Sequence, residues 1–299
     1  MFTSQWINTL KGTSINSIIL VPKPLAALRG PVDDTARWIF RGGLNRLVVI
    51  LCASALTIPA TAQSFTTIIN VPPEPPPRSI GSDTQLNLYD GGLLFSVFDA
   101  GNPDGSSANV EVNINGGTVE RGFSANFGST VNINGGRLLP FFFANSGSTT
   151  NIKNGVLSGD FSANAGSVVN ISGGDAGQFF TAMSDSIVNI SGGIVGQNFN
   201  ALANSEVNLF GLHFTLDGTD ITGSLNLGES ELIADRDLTL AGLLADGSAF
   251  SFDLNSVDIF GEDTFDPDAI LTITLVPEPT TLGPLGIGAL CALRRRRLS

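Results

Sequence analysis

The chain has 299 residues, of which only 14% are charged, with 35 glycines and 20 phenylalanines against 1 tyrosine, 2 tryptophans and 1 histidine. Hydrophobic residues make up 42%, enough apolar material to exclude disorder throughout. The net charge is −12 and its distribution is uneven: between Gln63 and Val276 stand 5 Lys/Arg against 24 Asp/Glu, a balance of −19. A body that acidic repels phosphate backbones and anionic lipid, which excludes nucleic acid as a partner.

In chain order, residues 1–62 read as a leader ending in a signal peptide. Arg37, Arg41 and Arg46 precede the apolar run from Leu47 to Ile58. Ala60-Thr61-Ala62 then supplies the small–x–small pattern that a signal peptidase pocket admits. Twelve helical residues span ~18 Å, short of a bilayer core of ~30 Å, so the run suits a signal h-region and not a permanent span. A buried core helix is the structural alternative. Leu51 stands where a lipoprotein signal at Cys52 needs a tiny residue. The stretch Met1 to Ala36 is long for an n-region, and an extended leader or a downstream start both account for it. Residues 63–82, with Val71-Pro-Pro-Glu-Pro-Pro-Pro77, read as an extended Pro-rich linker.

Residues 83–228 read as a repeat. Asn113, Asn132, Asn151, Asn170, Asn189 and Asn208 are each 19 residues apart, within copies of Val-Asn-Ile-x-Gly-Gly. Phe123, Phe142, Phe161, Phe180 and Phe199 keep the same interval. So do Ala125 to Ala201 and Ser129 to Ser205. An earlier copy at Leu86-Asn87-Leu88 lies 26 residues upstream of Asn113, and an inserted loop at Asp99 to Gly105 would absorb the excess. Nineteen residues with Gly-Gly in each unit suit three short strands and not a helix pair. The expected fold is all-β: a parallel β-solenoid of 19-residue coils, most simply a right-handed β-helix, since the left-handed kind prefers six-residue sub-repeats. Stacking then makes an inner Phe column beside Ala and an outer Asn column. Phe161→Ala should be costly and Asn170→Ala cheap. Unfolded low-complexity chain and an up-and-down sandwich or barrel are the alternatives. Residues 229–275 read as an acidic β cap region that supplies the last strands, Leu271 to Leu275 among them, and closes the open end.

The last segment, 276–299, has three parts. Pro277-Glu278-Pro279 is followed by the apolar stretch Thr280 to Leu293 and then by Arg294, Arg295, Arg296 and Arg297. This tail resembles the PEP-CTERM sorting signal of Gram-negative bacteria. The resemblance implies recognition of Pro277, Glu278 and Pro279 by an exosortase and a cytoplasmic basic stop at Arg294–Arg297. It also implies transient insertion in the inner membrane, followed by release to the cell surface or exopolysaccharide matrix. The basic cluster agrees with cytoplasmic retention of positive charge. The apolar stretch, 14 residues or ~21 Å as a helix, is short for a permanent anchor. Pro73-Glu74-Pro75 repeats the tripeptide without an apolar segment or basic stop behind it.

Chemistry is sparse. Cys52 lies in the leader and Cys291 in the tail, so the mature chain would offer no disulfide, thiol nucleophile or thiolate ligand. His213 is the single histidine and no nucleophile motif accompanies it. Arg121, Arg137 and Lys153 fall at three different repeat offsets, and Glu120, Asp160, Asp175 and Asp185 are likewise scattered, so no column pairs carboxylates or basic groups for glycan cleavage. Asn102 to Gly105 and Glu262 to Asp268 offer clustered oxygens suited to calcium, without a recognised loop pattern. The expectation is no catalytic residue, no metal site and no cofactor. The chain reads as an exported β-solenoid with a structural or adhesive role. Its processing partners are signal peptidase and exosortase, with matrix polysaccharide as an external one. A carbohydrate-active β-helix enzyme, lyase or hydrolase, is the alternative function.

Overall fold

The computed structural model describes residues 63–278. Val and Ile on either side of each Asn point inward and the Asn outward, as the two-residue period of a strand requires. In Val110–Ile114 the valines and the isoleucine are buried while Glu111 and Asn113 are half-exposed. Each such strand lies parallel to its counterpart one coil away. The order runs Thr84–Leu88, Val110–Ile114, Ser129–Leu138, Thr149–Leu157, Val168–Asp175, Ile187–Ile194, Glu206–Leu216. A second sheet stacks the short strands Phe98–Ala100, Phe123–Ala125, Phe142–Ala144, Phe161–Ala163, Phe180–Ala182 and Asn200–Ala201. All of these pairings are parallel, so the chain is a parallel β-solenoid of about 8 turns and roughly 19 residues per coil. Hairpin sandwiches and barrels would need antiparallel neighbours here.

The Gly-Gly pair bends each long strand from the Asn face onto a second face. Gly136 shows why glycine stands there: its φ is +79°, and a Cβ would meet the carbonyl oxygen of Gly116 in the coil beneath at 2.7 Å. The third face carries the Phe column. Adjacent rings from Phe123 to Phe180 stack with centroids 4.7–4.8 Å apart and planes within 9° of parallel. Phe98 and Phe199 extend the stack at 5.3 and 5.2 Å. Two residues on, Ala100, Ala125, Ala144, Ala163, Ala182 and Ala201 are fully buried, leaving room for the rings beside them.

Two expectations are corrected, and a third takes definite form. Residues 63–82 are more than a linker: Thr67–Val71 pairs with Thr84–Leu88, and Ser79–Ile80 with Phe98–Ala100. Ile69-Asn70-Val71 repeats the apolar–Asn–apolar alternation and therefore stacks as one more coil, while the Pro-rich run only connects its two strands. The insertion falls later than Asp99 to Gly105, because Asp99 and Ala100 sit in a strand and the extra chain loops out between Ala100 and Val110. Finally, the last strands expected within 229–275 continue the coil stack. Thr264–Phe265 pairs in parallel with Asn200–Ala201, and Ile270–Leu275 with Glu206–Gly211. Antiparallel strands Thr239–Leu244 and Ala249–Asp253 cover the rest of that end.

Candidate functional site

The outward Asn column is a hydrogen-bonded ladder. Each amide donates from Nδ2 to Oδ1 of the Asn one coil toward the N-terminus. The chain of bonds runs Asn87 to Asn70, Asn113 to Asn87 and so on to Asn208 to Asn189, at 2.8–3.0 Å. Eight amides thus form one directional chain. From Asn87 to Asn208 each amide uses one donor and one acceptor within the column; Asn113 and Asn208 give the second N–H to Glu111 and Glu206 at 2.7 and 2.8 Å, and Asn87 gives its own to Gln85 at 3.4 Å, while Asn132, Asn151, Asn170 and Asn189 keep theirs for solvent or a ligand.

A second, shorter ladder stands on another corner. Asn164 donates to Asn145 at 2.7 Å and Asn145 to Asn126 at 2.8 Å, while Asn126 donates to the Gly101 carbonyl at 2.9 Å. Sequence reasoning missed it, although Asn126, Asn145 and Asn164 share the 19-residue interval. Beside it the half-exposed ring of Phe127 lies over Gly147, where a Cβ would strike the ring. Pro103, Asp104, Asn145 and Ser146 complete an open groove of about 510 Å³. The serines of this corner are structural: Ser129, Ser148 and Ser186 donate to the carbonyls of Asn126, Asn145 and Met183 at 2.6–2.7 Å.

The acidic groups are mostly spent on turns. Asp104 accepts from the Ser106 N–H and hydroxyl, bonds that hold its carboxyl below the usual range. Asp266 accepts from the Asp268 N–H, and Asp263 accepts from the Phe199 N–H at 2.8 Å. Burial pushes Asp263 up, and it outweighs the N–H donors that favour the charged form. His213 sits 3.5 Å from Asp220 on an exposed antiparallel turn. Among the described residues no group of three or more His, Cys, Asp or Glu is placed to hold a metal ion. Arg121 lies over the Phe141 ring at 5.7 Å, and Arg137 donates to the Ser158 hydroxyl at 3.3 Å. Lys153 is exposed.

Of the sorting residues, Pro277 and Glu278 are both exposed, directly after the last strand, Ile270–Leu275. The Val276 N–H still donates to Gly211 at 2.9 Å. Pro277, with no N–H, cannot continue that ladder. Pro279, the basic stop Arg294–Arg297 and the cleavage residues Ala60 and Ala62 lie outside the described residues. Comparison with protein-family models, curated proteins and solved structures gives no match for this chain. Its class therefore rests on its own geometry: a parallel β-solenoid with asparagine and phenylalanine ladders.

Proposed function

We propose that this chain is an exported, non-catalytic β-solenoid of a Gram-negative-type bacterial envelope, structural or adhesive in role and sorted through its C-terminal tail. The observation that carries the reading is the tail itself. Pro277-Glu278-Pro279, an apolar stretch and four arginines follow a rigid coil stack with almost no spacer. Signal peptidase acts at Ala60–Ala62 and exosortase at the tripeptide. The rod then reaches the cell surface or matrix, where the Phe127 groove and the remaining amide N–H groups of Asn132, Asn151, Asn170 and Asn189 face polysaccharide hydroxyls. A rod held by backbone pairing and packing suits that exposed setting.

The test is fractionation of cells making the chain with Glu278→Ala or without Arg294–Arg297. Retention of Glu278→Ala in the inner membrane, and failure of the shortened chain to pause there, support the reading. Unchanged distribution of both would remove it.

A further inference from the structure

The first coil ends the stack, so its outer edge has no strand beyond it. Thr67–Val71 begins the order of the first sheet and Ser79–Ile80 that of the second. Such an edge presents bare N–H and C=O groups on which another chain can add a strand. Successive residues of a strand aim those groups to opposite sides. The Thr67 N–H donates to Asp83 and the Val71 carbonyl accepts from Tyr89, which turns Thr67, Ile69 and Val71 toward Thr84–Leu88. Ile68 and Asn70 therefore direct their backbone groups outward.

Both outward groups of Asn70 are taken by one residue, Glu74. The Glu74 N–H donates to the Asn70 carbonyl at 2.9 Å, and the Asn70 N–H donates to Glu74 Oε2 at 3.2 Å. Glu74 is the one residue of 72–77 that is not proline, so the one N–H in that run is already bonded. In Thr67–Val71 this leaves Ile68 alone with an outward pair. The chain that precedes the strand does not cross this edge. The Thr66 N–H donates to the Asp83 carbonyl, Gln63 donates to the Asn109 side chain, and Asn109 donates to the Ser64 carbonyl. Residues 63–66 thus lie against the second and third coils.

We infer that Glu74 is a latch that closes the N-terminal edge of the rod against strand addition by a second copy of this chain. The segment Thr67-Ile68-Ile69-Asn70-Val71 is uncharged and rich in β-branched residues, a composition that pairs readily once bare. Two such strands related by a two-fold axis at Ile69 would set Ile68 of each against Asn70 of the other, exchanging both backbone bonds. Those bonds need the Asn70 N–H and C=O that Glu74 occupies. A head-to-tail continuation has no matching strand, because Ser230–Leu232 already lies antiparallel outside Ile270–Leu275 at the other end. The inference does not rest on export or on glycan binding.

The test is sedimentation equilibrium of the full chain in mild detergent at tens of micromolar, with Glu74→Ala compared against the wild type. Glu74→Ala should self-associate at least tenfold more tightly than the wild type and approach the mass of two chains. Glu74→Gln should behave as the wild type, because its amide oxygen accepts the same N–H. Glu74→Ala combined with Ile68→Pro should also return to the wild-type mass, since proline removes an outward N–H that an edge strand can lack. At submicromolar concentration, where the chains are single, hydrogen-exchange mass spectrometry should show faster exchange of 67–71 in Glu74→Ala. An unchanged mass or unchanged exchange for Glu74→Ala would overturn the inference, as would association that survives Ile68→Pro or that Glu74→Gln shares.

Discussion

The Thr272 hydroxyl donates to Asn208 Oδ1 at 2.6 Å, so a residue from the cap closes the amide column that eight asparagines build. Thr272 occupies the Asn register one coil further on, paired with Asn208 in parallel. An amide column needs a donor at its last oxygen, and a hydroxyl supplies it.

Thr272→Val should therefore cost about 0.5–1.5 kcal/mol, the net worth of one hydrogen bond. Asn170→Ala should cost about 1–2 kcal/mol, more than an outward side chain suggests, because it orphans Asn151 Oδ1 and Asn189 Nδ2 together. Chemical denaturation of both variants checks this; equal stability to wild type would mean the ladder adds nothing.

Phe161 is fully buried between rings at 4.8 and 4.7 Å. Phe161→Ala should cost about 3–5 kcal/mol. Since each coil touches only its neighbours, the lesion should also broaden the melting transition or split it. A sharp, unshifted melt would contradict the ring column.

Arg236 donates to the carbonyls of Ile233, Asp235, Phe265, Asp266 and Ala269 at 2.7–3.3 Å, fixing the turn that feeds the last strand. Lysine has a point charge and no planar fork. Arg236→Lys should cost about 1–3 kcal/mol, with faster amide exchange confined to residues 264–275, read by hydrogen-exchange mass spectrometry.

Asp263 sets a pH dependence of unusual sign. Its native pKa is raised by burial, so the stability it contributes is complete below the unfolded value of ~4 and is lost as pH rises through the native value. Asp246 behaves oppositely. Burial pushes it up, but bonds from Ser248 and the Gly193 N–H outweigh this and lower its pKa, so its contribution fades as pH falls. The melting temperature of wild type minus that of Asp263→Asn should be most favourable near pH 4 and decline toward pH 7. A flat difference would contradict the assignment.

The coils from Asn113 to Asn208 were legible because Asn, Phe, Ala and Ser repeat at one interval, and stacking makes that interval visible. The first coil was hidden by its Pro-rich connection and by the interval of 17 in place of 19 from Asn70 to Asn87, although Ile69-Asn70-Val71 carries the pattern. The last coil was hidden because Thr272 replaces Asn and its partner lies 64 residues away. Such long-range pairing leaves no local periodicity. Val97, Phe141 and Phe179, whose φ is positive, looked like ordinary neighbours of the Phe column, since sequence does not display φ.

The most direct measurement is mass spectrometry of both termini of the chain recovered from native cell fractions. The account predicts a chain beginning near Gln63, lacking Arg294–Arg297 and found outside the inner membrane. An intact arginine tail on inner-membrane protein would contradict it.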